Sequence, residues 1–264
     1  WIKSQFPNDH GYFARSFWNT VDVLMTLSEF SEPTDQYKDQ ILSEIAKHDR
    51  GGCYDEVLGA TCAMYEIYLF YLGDEDERTL GALQWIIQNY EEKVLFERAS
   101  AIDILVKYDC NVRAEVINNF RTEVLNFFNS GNAFGNDNEF KIYRYCQTLF
   151  TCGFLNDAEE LSLRFKDSQD KQDGKWVNIS HTAAITELLI KIQDKIGLAN
   201  PEIDEMIFKG IEYLYDNYDP ERFSWNNDVL STIKSLKSLK LFEDKVILPV
   251  DVVKSRVIEE SKRI

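Results

Sequence analysis

The chain is poor in the residues that hold metals. It has three histidines and five cysteines, the latter at 53, 62, 110, 146 and 152. No CxxC pair occurs, so the ligand spacing of a structural zinc site is missing. The cysteines fall on apolar faces and read as small buried hydrophobes of a reducing, cytoplasmic compartment. Basic charge is also scarce: 29 Lys and Arg stand against 45 Asp and Glu, for a net charge of −16. Such a chain lacks the positive face that nucleic acid or an anionic membrane needs. No apolar run approaches the roughly 18 residues of a transmembrane helix. No stretch alternates with period two long enough for a strand, so sheet content is expected to be close to nil. The first residue is Trp1 and no signal-peptide pattern follows, which reads as a piece of a longer protein or a trimmed N-terminus.

Aromatic residues, in contrast, are abundant for a helical chain: 17 Phe and 13 Tyr. They recur in a pattern clearest over residues 169–189. There a helix ends, Asp173 and Gly174 turn the chain, Trp176 points back inward, and His181-Thr182 opens an apolar run of Ala183, Ala184, Leu188, Leu189 and Ile192. Looser copies carry Phe13 before Thr20-Val21, Tyr54 before Thr61-Cys62, Phe96 before Ala101-Ile102, Phe134 before Tyr145-Cys146, and Phe223 before Val229-Leu230. Aligned on these aromatics, the units recur about every forty residues, the mark of a repeat architecture. The bland reading of the aromatics is plugs between helix layers, with the remainder lining a cavity.

Each unit reads as two helices. Residues 41–47, 80–89, 112–128, 158–165 and 203–215 supply one helix, and the apolar run after each aromatic supplies the other, both with apolar spacings of three and four. Gly and Pro separate them, and Asp35, Asn200 and Asp219 are candidate N-caps. No linker or shift in composition divides the 264 residues. A closed ring of repeats would use residues 1–264 as one all-α domain, with a terminal helix over 251–262 packing beside residues 1–5.

Several stretches resemble a known repeat. Trp1-Ile2-Lys3-Ser4-Gln5, then Asn8-Asp9-His10-Gly11-Tyr12-Phe13, then Trp18-Asn19-Thr20 look like the repeat of terpenoid cyclases and protein prenyltransferase β-subunits. Residues 169–189 match the same pattern. The resemblance implies an α/α toroid: six helix-hairpin repeats, (α/α)6 barrel-like, with inner helices around a central cavity. It does not carry the chemistry over intact. Cyclases of this kind place a D-x-D-D before a Thr-Ala, where this chain has Asn178, Ser180 and His181 before Thr182-Ala183. Prenyltransferases have a zinc-ligating His-Thr, which His181-Thr182 resembles. Their companion D-x-C is replaced by Tyr143, Arg144 and Cys146, and no magnesium-binding Asp-rich helix is present. No metal and no cofactor is implied.

What remains is a ring of polar residues at the starts of the inner helices. Helix starts offer free amides and a positive dipole end, so they suit acidic caps and bound anions equally. The candidates for chemistry are His181, Asp228 and Glu56. Those for ligand binding are Arg15, Asn19, Arg98, Tyr143, Arg144 and Trp225. Two functions of different class follow. One is a cyclase- or transferase-like protein holding an apolar, isoprenoid-type molecule in its cavity; whether it is an enzyme stays open. The other is a non-catalytic toroid of a larger protein that binds a peptide, a fused domain or a protein partner. His181, Arg144 and Asp228 are expected at the same end of the ring.

Overall fold

The structure is a computed structural model, and it describes residues 2–6, 12–13, 17–110, 112–130, 139–197 and 200–245. These are mostly helical: α1 (Phe17–Glu29), α2 (Lys38–Ala46), α3 (Leu58–Leu72), α4 (Glu77–Asn89), α5 (Leu95–Lys107), α6 (Ala114–Asn129), α7 (Glu139–Thr151), α8 (Leu155–Ser162), α9 (Phe165–Ser168), α10 (Ile179–Ile196), α11 (Pro201–Asp216) and α12 (Val229–Lys245). Sheet among the described residues is limited to an antiparallel pair, β1 (Tyr218–Asp219) with β2 (Ser224–Trp225), and one bridge between Asp49 and Tyr54. No described helix is long and apolar enough to cross a membrane.

Helices α1, α3, α5, α7, α10 and α12 touch one another in that order, and α12 returns to pack on α1. The rest lean on this circuit: α2 and α4 on α3, α6 on α5, α8 on α7 and α10, α11 on α10 and α12. Sequence accounts for the two kinds. Helix α3 is apolar around its whole circumference, as a helix packed on several sides must be. Helix α11 buries a single stripe, Ile203, Met206, Ile207, Ile211 and Leu214, at spacings of three and four. Gly210 lies in that stripe because a Cβ there would come within 2.3 Å of the Thr186 hydroxyl on α10.

First turns meet first turns around the circuit. Phe17 at the start of α1 stacks on Tyr54 just before α3, at 4.3 Å between ring centroids. Phe96 at the start of α5 meets Phe140 at the start of α7, which in turn stacks on His181 at the start of α10. Further along, Glu66 in the middle of α3 binds Lys107 of α5. The inner helices therefore run side by side in one direction.

One hydrogen bond recurs at this end. The backbone N–H before the helix donates to a buried threonine hydroxyl in its first turn: Phe13 to Thr20, Tyr54 to Thr61, Trp176 to Thr182 and Trp225 to Thr232, all between 2.9 and 3.1 Å. The indoles of Trp176 and Trp225 then reach back to the carbonyls of Phe165 and Leu214, each eleven residues earlier. The sixth aromatic plug is therefore Trp225, at 3% exposure, and not Phe223, which is 69% exposed. Phe96 is not a plug either, since it lines the central cavity. Phe134, the fourth aromatic of the alignment, lies outside the described residues.

Of the expected caps, Asn200 accepts from the Glu202 N–H at the start of α11. Asp35 lies instead in the short turn Asp35–Tyr37 ahead of α2. Asp219 accepts from the N–H groups of Glu221 and Arg222, and so shapes the β1–β2 turn rather than a helix. The expected helix over 251–262 lies outside the described residues. Closure of the circuit is made by α12, which packs on α1 and on the turn Ile2–Gln5.

Candidate functional site

Among the described residues, α1, α3, α5, α7, α10 and α12 each contribute side chains to a cavity of about 900 Å³. That volume lies in the range of small-molecule sites. Four of these helices interrupt an apolar run with one acid: Asp22 on α1, Glu66 on α3, Asp103 on α5 and Glu187 on α10. All four face the cavity.

Buried carboxylates need partners, and most of these have lysines. Lys234 Nζ lies 2.6 Å from Asp22, Lys107 lies 2.7 Å from Glu66, and Lys191 lies 2.5 Å from Glu187. Lys237 is 3.1 Å from Glu29. Burial alone would raise the Glu187 carboxyl; Lys191, Lys237 and Lys234 outweigh it and hold the group below its ordinary value. Burial likewise works against the Lys234 ammonium, but Asp22, Tyr143 and Glu187 keep it charged and its pKa raised. Asp103 differs. It accepts from Thr151 at 2.6 Å and Gln147 at 3.2 Å but has no ion pair among the described residues, and burial pushes its carboxyl upward.

The end nearest the helix starts is aromatic. Phe140 is its centre: His181 stacks against it at 5.8 Å, Tyr143 at 6.2 Å, and the Arg144 guanidinium lies 5.9 Å above its ring. Burial pushes the Tyr143 phenol up to about 12, with Lys234 opposing. Burial lowers the His181 pKa and so favours the neutral ring. It raises the carboxyl of Glu139, a bond from the Ser168 hydroxyl opposing. Three buried polar atoms here have no hydrogen-bond partner: Arg144 Nε, His181 Nδ1 and Glu139 Oε2. Arg144 forms no ion pair with a carboxylate among the described residues, unlike the four cavity lysines.

The anticipated site residues divide. His181, Tyr143, Arg144 and Asn19 line the cavity. The other described candidates do not, each for a structural reason. The Asp228 carboxylate accepts from the Ser231 N–H at 2.7 Å and so caps α12. Glu56 is exposed in the turn before α3, where its backbone is left-handed. Arg98 is drawn outward to Glu123 on α6. Trp225 is the plug described above. Arg15 lies outside the described residues. His181 and Arg144 thus meet around Phe140, while Asp228, at the start of α12, caps that helix and is not among the cavity-lining residues.

Sequence reasoning missed Phe140, Glu139, Lys234 and the four acids. A signal for the acids was available: each stands alone within an apolar helical run, where a charge must face something polar. Among the described residues, no three His, Cys, Asp or Glu side chains form a metal-binding group. Comparison with protein-family models, curated proteins and solved structures finds no match for this chain.

Proposed function

We propose that the chain is an α/α toroid of six helical pairs, built like the terpenoid cyclases and protein prenyltransferase β-subunits, whose central cavity binds a small apolar molecule of isoprenoid type. The observation that carries this reading is the cavity itself, bounded by all six inner helices. The body of the ligand rests on Phe96, Phe140, Ile104, Ile185 and Leu230, and its polar end lies by His181, Tyr143 and Arg144. His181 supports binding more than proton transfer, since burial lowers its pKa and no carboxylate orients its ring.

Titration with farnesol, followed by tryptophan fluorescence and calorimetry, tests the reading. Saturable binding is expected, and Ala184→Phe, which fills the cavity from α10, should abolish it. Binding that survives Ala184→Phe, or no binding to the native chain, would remove the cavity from consideration.

A second reading, a toroid that binds a peptide or protein partner, has one observation in its favour. Val57, Val94 and Val177, all about half exposed or more, stand immediately ahead of α3, α5 and α10, with Phe223 ahead of α12. Exposed apolar side chains repeated at one end of a molecule suit a partner surface.

A further inference from the structure

The cavity lysines are neutralised, each by a carboxylate within 3.1 Å. Arg144 is the exception. Its guanidinium has no carboxylate partner among the described residues, and its Nε is buried without an acceptor. A buried charged donor left unpaired costs more than an ordinary missing hydrogen bond, so native proteins seldom keep one without use. The planar fork of arginine matches a carboxylate through two parallel N–H···O bonds. The face of Phe140, which the guanidinium overlies at 5.9 Å, supplies no acceptor.

We propose that the polar end of the ligand is a single carboxylate, paired with Arg144, on a molecule whose apolar body rests beside Phe140. This deepens the cavity-binding reading and rests on it. The charge balance selects a monoanion. The four cavity lysines are already paired, and the wall also holds Glu97, Asp103 and Glu139, so a phosphate or diphosphate would bring charge that no described cavity lysine is free to meet. Burial pushes Asp103 and Glu139, wall acids without an ion pair among the described residues, toward their neutral forms, with the Arg144 charge opposing at Asp103. The stacked rings of Phe140, Tyr143 and His181, with Phe96 tilted against Phe140, form an aromatic wall for that apolar body.

Three fluorescent probes of one shape test this on the full chain: naphthylacetate, naphthaleneethanol and naphthyl phosphate. The acid should bind at least about tenfold tighter than the alcohol, the worth of one charge-assisted hydrogen bond, and no weaker than the phosphate. Arg144→Gln should weaken the acid far more than the alcohol and so bring the two affinities together. The comparison on the native chain decides the matter even where the variant fails to fold. Equal binding of acid and alcohol overturns the carboxylate but leaves the cavity-binding reading standing. Tighter binding of the phosphate overturns the monoanion, and no binding of any probe overturns both.

Discussion

The ammonium of Lys234 lies 2.6 Å from the carboxylate of Asp22, joining the last inner helix to the first across 212 positions of the chain. The pair stands in the cavity wall, where water is partly excluded and Coulomb attraction is stronger than at a surface. It fastens the circuit where no covalent connection does. Lys237 and Glu29 repeat the link further along the same two helices.

Removing either member should therefore be costly. Asp22→Asn and Lys234→Met are each expected to lose about 1–3 kcal/mol, the range for bonds to charged groups. The double variant should lose at least about 1 kcal/mol less than the sum, because contacting residues couple. Urea denaturation of the four proteins measures this. Simple additivity would mean that the pair does not hold the closure.

The threonine bonds give a second prediction. Thr182→Val keeps the shape of the side chain but leaves the buried Trp176 N–H without its acceptor, at a cost of about 1–3 kcal/mol. Trp176→Ala, at a fully buried plug, should cost about 3–5 kcal/mol. Thr61→Val and Thr232→Val should behave like Thr182→Val. A change under about 0.5 kcal/mol at Thr182 would deny the hydroxyl its structural role.

His181 should matter to the ligand and little to the fold. Its Nδ1 is buried without a partner, so His181→Ala removes an unfavourable group along with the stacking on Phe140. Melting temperature should stay nearly constant while farnesol binding weakens. A variant that unfolds would make the residue a structural one.

The same imidazole sets a pH dependence. Burial depresses its pKa in the folded state, so its contribution to stability is present above the ordinary value of 6.5 and is lost as pH falls through the folded value. Acidification from about pH 7 to about pH 5 should then destabilise the native chain more than His181→Gln. The His181 ring signal in an NMR titration should have its midpoint below 6.5. A midpoint at or above that would contradict the burial argument.

Asp103 should show the opposite sign. Its carboxyl is raised in the folded state, so it contributes stability below its ordinary value of 3.8 that is lost as pH rises through the folded value. Relative to the native chain, Asp103→Asn should gain stability between about pH 4 and about pH 7. Parallel melting curves would reverse the assignment of cause.

Much of the helical layout was legible in the residues. The stripe from Ile203 to Leu214, the cap at Asn200 and the turn at Gly174 are local matters, and a helix period or a short side chain expresses them within a few positions. The repeat was legible too, though its last unit was misaligned. Phe223 and Trp225 are both aromatic, and only the register of Thr232 distinguishes them. That threonine stands seven residues after Trp225, as Thr20 does after Phe13 and Thr61 after Tyr54.

The sequence alone thus determined which segments are helices and which faces they bury, because periodicity and capping act between near neighbours. Tertiary structure alone decided what the polar residues do. Asp228 and Asp22 are the same kind of side chain, yet one caps the first turn of α12 while the other meets Lys234 of that helix from α1. Arg98 and Arg144 likewise part company, the first drawn to Glu123 on α6 and the second left facing the cavity. The physical reason is that a charge takes its role from the partner brought within bonding distance. That partner is chosen by how the helices close on one another, which no local pattern records.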